Sequence, residues 1–261
     1  MFIILLKILV SVFIVLGLVF ISERNPKIGG LLVGLPLGTG IMIFFYSIEQ
    51  GIPFVLQGIP YGICGLVGSL SFGIGFYLGG KFFIKNPVLH VISALCGGFF
   101  AFLCISTLIT LCKITLLISL VIFLIGMSFA VYFFKHIPQH KKTMPKRFRI
   151  SALIFRTIFV VIIVLTVTAL AQKIGTRWAG FMASFPTTLC PLLIILAYSD
   201  KDELYPNVLK HFSYSVTTTV FFYLLVLWLF PILGIYYGIV VIYLLCFLYL
   251  YTLNKIKNQL F

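Results

Sequence analysis

Apolar runs of about twenty residues, each closed by a short break that carries charge or proline, recur along the whole chain. A run of that length is what an α-helix needs to cross a bilayer. Cutting at the breaks gives nine spans, approximately 2–22, 28–48, 53–79, 87–111, 114–134, 151–171, 178–199, 208–230 and 233–253. With 62% hydrophobic residues, 9% charged residues and a mean hydropathy of +1.21, there is too little polar surface to clothe a soluble domain of 261 residues. The expectation is an all-α polytopic membrane protein of about nine transmembrane helices. The apolar N-terminus lacks a small-x-small cleavage site and runs to Ser22, which suits a first span better than a signal peptide.

The basic residues test the count. Nine spans place Arg24, Lys27, Lys81, Lys85, Lys135, Lys141, Lys142, Lys146, Arg147, Arg149, Lys201, Lys210, Lys255 and Lys257 on one face, and only Lys113, Lys173 and Arg177 on the other. By the positive-inside rule the C-terminus is cytoplasmic and the N-terminus outside. The net charge of +14 is then a matter of topology and of anionic lipid headgroups, chiefly at the basic linker, and not of nucleic acid, for which no soluble domain is available.

Two stretches repeat each other. In Trp178-Ala179-Gly180-Phe181-Met182-Ala183-Ser184-Phe185-Pro186-Thr187-Thr188-Leu189-Cys190-Pro191, Gly180 and Pro186 match Gly30 and Pro36 of Gly29-Gly30-Leu31-Leu32-Val33-Gly34-Leu35-Pro36-Leu37-Gly38-Thr39-Gly40 at one offset of 150 residues. A basic patch precedes each, Arg24 and Lys27 in one, Lys173 and Arg177 in the other. Tyr46-Ser47 with Glu49 pairs with Tyr198-Ser199 followed by Asp200, Asp202 and Glu203; Val55-Leu56-Gln57 pairs with Val208-Leu209-Lys210; Lys7 pairs with Arg156. In each copy a proline interrupts an apolar span near its middle and frees a carbonyl one turn earlier. Residues 1–112 form a first four-helix unit, 113–150 a connecting helix with a basic cytoplasmic linker, and 151–261 a second four-helix unit. The odd number of spans before the second unit inverts it, the inverted-repeat plan of many secondary transporters.

The third span carries Gly58, Gly62, Gly65, Gly68, Gly73, Gly75 and Gly79, with Ser69 and Ser71 between them. Close helix packing is favoured over a glycine-lined pathway. Ser213, Ser215, Thr217, Thr218 and Thr219 of the eighth span are read mainly as bonding their own backbone. The six cysteines lack CxxC spacing or a neighbouring histidine cluster and are read as small packing residues, so neither a metal nor another cofactor is expected.

Arg177, Ala179-Gly180 and Phe185-Pro186-Thr187 resemble the pattern of the GlpM-type small inner-membrane proteins, which have four spans. Gly34-Leu35-Pro36 and Glu49-Gln50-Gly51 resemble segments of larger two-unit bacterial membrane proteins of unassigned role. The likeness covers a quarter to a half of the chain, and Leu37 stands where the second unit has Thr187. It implies a bacterial inner (cytoplasmic) membrane location and transfers no activity.

The five acids, Glu23, Glu49, Asp200, Asp202 and Glu203, all fall near span ends, so no carboxylate is placed at mid-membrane. Hydrated loop charges are the favoured reading of these acids; the other makes Glu49 and Asp202, at corresponding ends of oppositely facing units, gate candidates able to pair with basic residues. Lys7 and Arg156 fall inside spans. Snorkelling to an interface is the favoured reading, and pointing inward to attract an anion the other. His90 is a possible titrating group near a helix end. No HExxH, GxSxG, intramembrane Asp pair or phosphate loop beside a lysine is present, so an enzyme is not expected. The leading expectation is a transporter of a small, anionic solute or lipid-linked anion, with Pro36, Gly38, Thr39, Pro186, Thr187 and Thr188 at the substrate. The alternative is a non-transporting scaffold or assembly factor whose basic linker docks anionic lipid or a partner protein.

Overall fold

A computed structural model describes residues 4–13, 35–83, 86–137, 150–200 and 205–260, and every regular element in them is an α-helix. In chain order these are α1 (Ile4–Phe13), α2 (Leu37–Gln50), α3 (Ile52–Gly80), α4 (Pro87–Thr110), α5 (Leu116–Lys135), α6 (Ile150–Ala183), α7 (Leu189–Asp200), α8 (Tyr205–Ser215) and α9 (Thr217–Leu260). Among the described residues, four helical stretches are long and apolar enough to cross a bilayer: Ile52–Gly80, Pro87–Thr110, Leu116–Lys135 and Val208–Leu253.

The last of these is two limbs. Gly234 has φ 71° and ψ −178°, a backbone region open in practice only to glycine. Phe221 stacks on Tyr249 with ring centroids 4.8 Å apart, whereas a straight helix would hold residues so far apart in sequence at about 40 Å. The chain therefore reverses at Gly234, beside Pro231. Gly175 has nearly the same angles, φ 75° and ψ 172°, and breaks α6. Both glycines fall at or beside breaks read from the sequence, Gly175 between the sixth and seventh spans and Gly234 at the start of the ninth.

Local signals set the other boundaries. Gly51 at φ 85° separates α2 from α3, whose first turn accepts Pro53 because its N–H would have no partner there. The Asn86 side chain caps α4 by accepting from the N–H groups of Val88 and Leu89, with Pro87 at the first helical position. Thr115 caps α5 through the N–H of Ile118.

The central helix is α3, and its glycines admit close neighbours, other backbones at Gly58, Gly65, Gly75 and Gly79 and the side chains of Tyr223, Phe181 and Leu209 at Gly62, Gly68 and Gly73. A methyl group at Gly75 would strike the Gly97 carbonyl of α4, one at Gly79 the Ser93 carbonyl, and one at Gly65 would lie 2.7 Å from the Phe181 carbonyl of α6. Gly180 of α6 rests on Gly58 with no room for a Cβ. The packing reading of the third-span glycines therefore holds. The exterior is apolar, with Phe13, Leu117, Phe100, Trp228 and Tyr237 among many large side chains turned outward. Ser213, Ser215 and Thr217 donate to carbonyls of their own helical run, as expected, whereas the buried Thr218 hydroxyl has no partner among the described residues.

Candidate functional site

The two proline segments share one local geometry. Pro36 has φ −76° and ψ 55°, an inverse γ-turn. Around it Leu37 N–H donates to the Leu35 carbonyl at 2.8 Å and Gly40 N–H to the Pro36 carbonyl at 2.7 Å. Around Pro186, Thr187 N–H donates to the Phe185 carbonyl at 2.7 Å and Cys190 N–H to the Pro186 carbonyl at 2.8 Å. Each bond lies 150 positions from its counterpart. The turn launches α2 in one copy and α7 in the other, and the span around Pro186 is interrupted over residues 184–188. Residues 14–34, just before this turn, lie outside the described residues.

The two turns meet. Gly38, in the first turn of α2, abuts the Thr187 side chain so closely that a methyl group on Gly38 would overlap Oγ1. Two residues on, Gly40 abuts the Tyr243 hydroxyl of α9, which donates to the Pro36 carbonyl at 3.3 Å. Pro36, Gly38, Thr39, Pro186 and Thr187 fall on or beside this crossing; Gly38, Thr39, Pro186 and Thr187 are buried, and Thr188 is half-buried. The structure brings the repeated motifs to one place. In the conformation seen the crossing is close-packed at Gly38 and Gly40.

The break around Pro186 is gripped from two sides. Phe185 packs on Phe72, Phe99 and Phe102, with centroids 5.8, 5.6 and 5.2 Å away. Ser184 donates to the Gly62 carbonyl and accepts from the Tyr223 hydroxyl, both at 2.6 Å, and Ser69 donates to the Ser184 carbonyl. Ser184 thus ties the turn to α3 and α9 and supports its position; it is not arranged as a nucleophile with a base.

A second polar group lies at the far end of α2. The Lys7 ammonium is 2.7 Å from Glu49 Oε1 and 2.9 Å from Oε2, and donates to Thr168 Oγ1 of α6 at 2.6 Å. The Phe45 ring centroid is 5.7 Å away. Lys7 is 4% exposed, so the snorkelling reading is replaced: a partner carboxylate within reach offsets the desolvation that drives a lysine outward. The favoured reading of Glu49 as a hydrated loop charge is replaced as well, since its carboxylate pairs with Lys7 of α1. Asp202 and the Arg156 side chain lie outside the described residues.

Several polar residues at these places carry no sequence motif. Tyr223 and Tyr243 stand among many aromatics, and only the fold reveals their hydroxyls at the breaks. Thr168 lies in a plain apolar run. Ser11, one turn from Lys7, was legible by spacing. Comparison of the chain with known families, curated proteins and solved structures gives no match.

Proposed function

We propose that the chain is an integral membrane transporter in which two inverted four-helix units, 1–112 and 151–261, alternate access to a site where their broken helices cross. One observation carries the reading: the turns at Pro36 and Pro186, identical in hydrogen bonding, touch through Gly38 and Thr187. A buried crossing of two interrupted helices is a poor choice for stability alone, since each turn forgoes helical bonds in an apolar setting. Its use is as a joint. The crossing lies at the start of α2 and just ahead of α7, where helix N-termini favour negative charge, and Thr39 and Thr187 carry hydroxyls beside it, so a small anion is the favoured substrate class. A bacterial inner-membrane setting, with the N-terminus outside, and the GlpM-type relationship belong to the same proposal and rest on the charge pattern and the short motifs.

The test is the thermal stability of detergent-purified protein against small anions, neutral solutes, cations and anionic lipids, because a ligand of the folded state raises its melting point. A saturable shift from one soluble anion, lost in Pro186→Ala and Thr187→Val proteins, is the expected result. If Pro36→Ala and Pro186→Ala proteins bind and move that ligand as the wild type does, the broken-helix mechanism is wrong. A response to anionic lipid alone, lost when Lys141, Lys142, Lys146, Arg147 and Arg149 are neutralised, favours the scaffold.

A further inference from the structure

The helix α1 is arranged inside out. Ile4, Leu5, Leu9 and Phe13 are exposed, and its two buried residues are polar, Lys7 and Ser11, one turn apart on the same face. Lys7 is already partnered: it donates to Glu49 Oε2 and to Thr168, with Glu49 Oε1 in the ion pair, and the Thr168 hydroxyl hydrogen is itself committed to the Val164 carbonyl at 2.6 Å. Two hydroxyls beside this pair are not used. Ser11 Oγ, one turn from Lys7 in α1, and the Tyr46 hydroxyl, three residues from Glu49 in α2, are buried and have no partner among the described residues. Buried hydroxyls are rarely left without a partner, and here one stands a helical turn from Lys7 and the other a turn from Glu49.

A carboxylate accepts about four hydrogen bonds. Glu49 is tethered at the last turn of α2, and its carboxylate pairs with Lys7 without engaging either hydroxyl. An untethered carboxylate in its place has the freedom to settle against Lys7 and take the unused donors as well. Glu49 is also the exposed member of the group, its side chain 19% accessible against 5% for Lys7, so an incoming solute meets it first. We propose that Lys7, Ser11 and Tyr46 form a binding site for a small carboxylate, which Glu49 occupies as a displaceable internal ligand, while Thr168 holds the ammonium in place from the second unit. This site is separate from the proline crossing, about 15 Å along α2, and does not depend on whether the chain transports anything.

The experiment is the melting temperature of the full-length chain in detergent with sodium formate or sodium acetate, against sodium chloride at equal ionic strength. Glu49 competes in the wild type, so the carboxylate shift there requires high concentration. Glu49→Gln removes the competitor and lowers the half-saturating concentration at least tenfold. Adding Ser11→Ala to that variant raises it again several-fold, and Lys7→Met abolishes the response. If Glu49→Gln is too unstable to purify alone, formate or acetate during extraction restores it and chloride does not. Equal responses to chloride and carboxylate, a response that survives Lys7→Met, or no carboxylate response in any variant overturns the proposal; the last would assign the two hydroxyls to water.

Discussion

Gly38 of α2 lies against the Thr187 side chain ahead of α7 with no space for a methyl group between them. Thr187 is β-branched and stiff at χ1, so it cannot swing aside cheaply. Gly38→Ala is therefore expected to destabilise by about 1–3 kcal/mol. Thr187→Ala in the same chain should recover much of that loss, a coupling that a thermal double-mutant cycle reads directly. Additive effects would mean that the two turns do not touch.

The Ser184 network should behave as one unit. Ser184→Ala leaves the Gly62 carbonyl without that bond and the Tyr223 hydroxyl buried without a partner, at a cost of about 1–3 kcal/mol. Tyr223→Phe combined with Ser184→Ala is expected to lose less than the sum of the two single changes, measured by chemical or thermal unfolding.

Breaking the Lys7–Glu49 pair from one side should harm more than removing it. Lys7→Met strands a mostly buried carboxylate and is expected to cost about 3 kcal/mol, while Lys7→Met with Glu49→Gln returns most of it. Melting temperatures of the three variants decide this; a single change as mild as the double one would contradict the pairing.

At the reversals, glycine is needed for its backbone alone. Nothing lies within 4 Å of a Cβ at Gly175 or Gly234, so alanine there gains no packing and meets only the strain of positive φ, about 1–3 kcal/mol. Neutral substitutions by unfolding measurement would exclude the reversed backbone.

The all-helical character, the breaks at Gly175 and beside Gly234, and the matching turns at Pro36 and Pro186 were foreshadowed by residue order, because each depends on local signals: length of an apolar run, a glycine, a proline at a fixed offset. The Lys7–Glu49 bond was half legible. Both residues stood out as charges in an apolar chain, but a lysine inside a span reads as snorkelling until a partner from another helix is known. Tyr223, Tyr243 and Thr168 were illegible for a different reason. A hydroxyl in a helix with a free choice of its own backbone carbonyls gives no sign in the sequence of which neighbour it faces, and the neighbours come from distant helices.

The most direct measurement is the reactivity of Thr39→Cys, in a chain with its six native cysteines replaced, toward a membrane-impermeant maleimide applied from each side of sealed vesicles. Thr39 is buried beside the crossing. If the two breaks form a joint that opens alternately, the cysteine is labelled from both sides, slowly from each. Labelling from neither side, or from one side only, contradicts alternating access at this crossing.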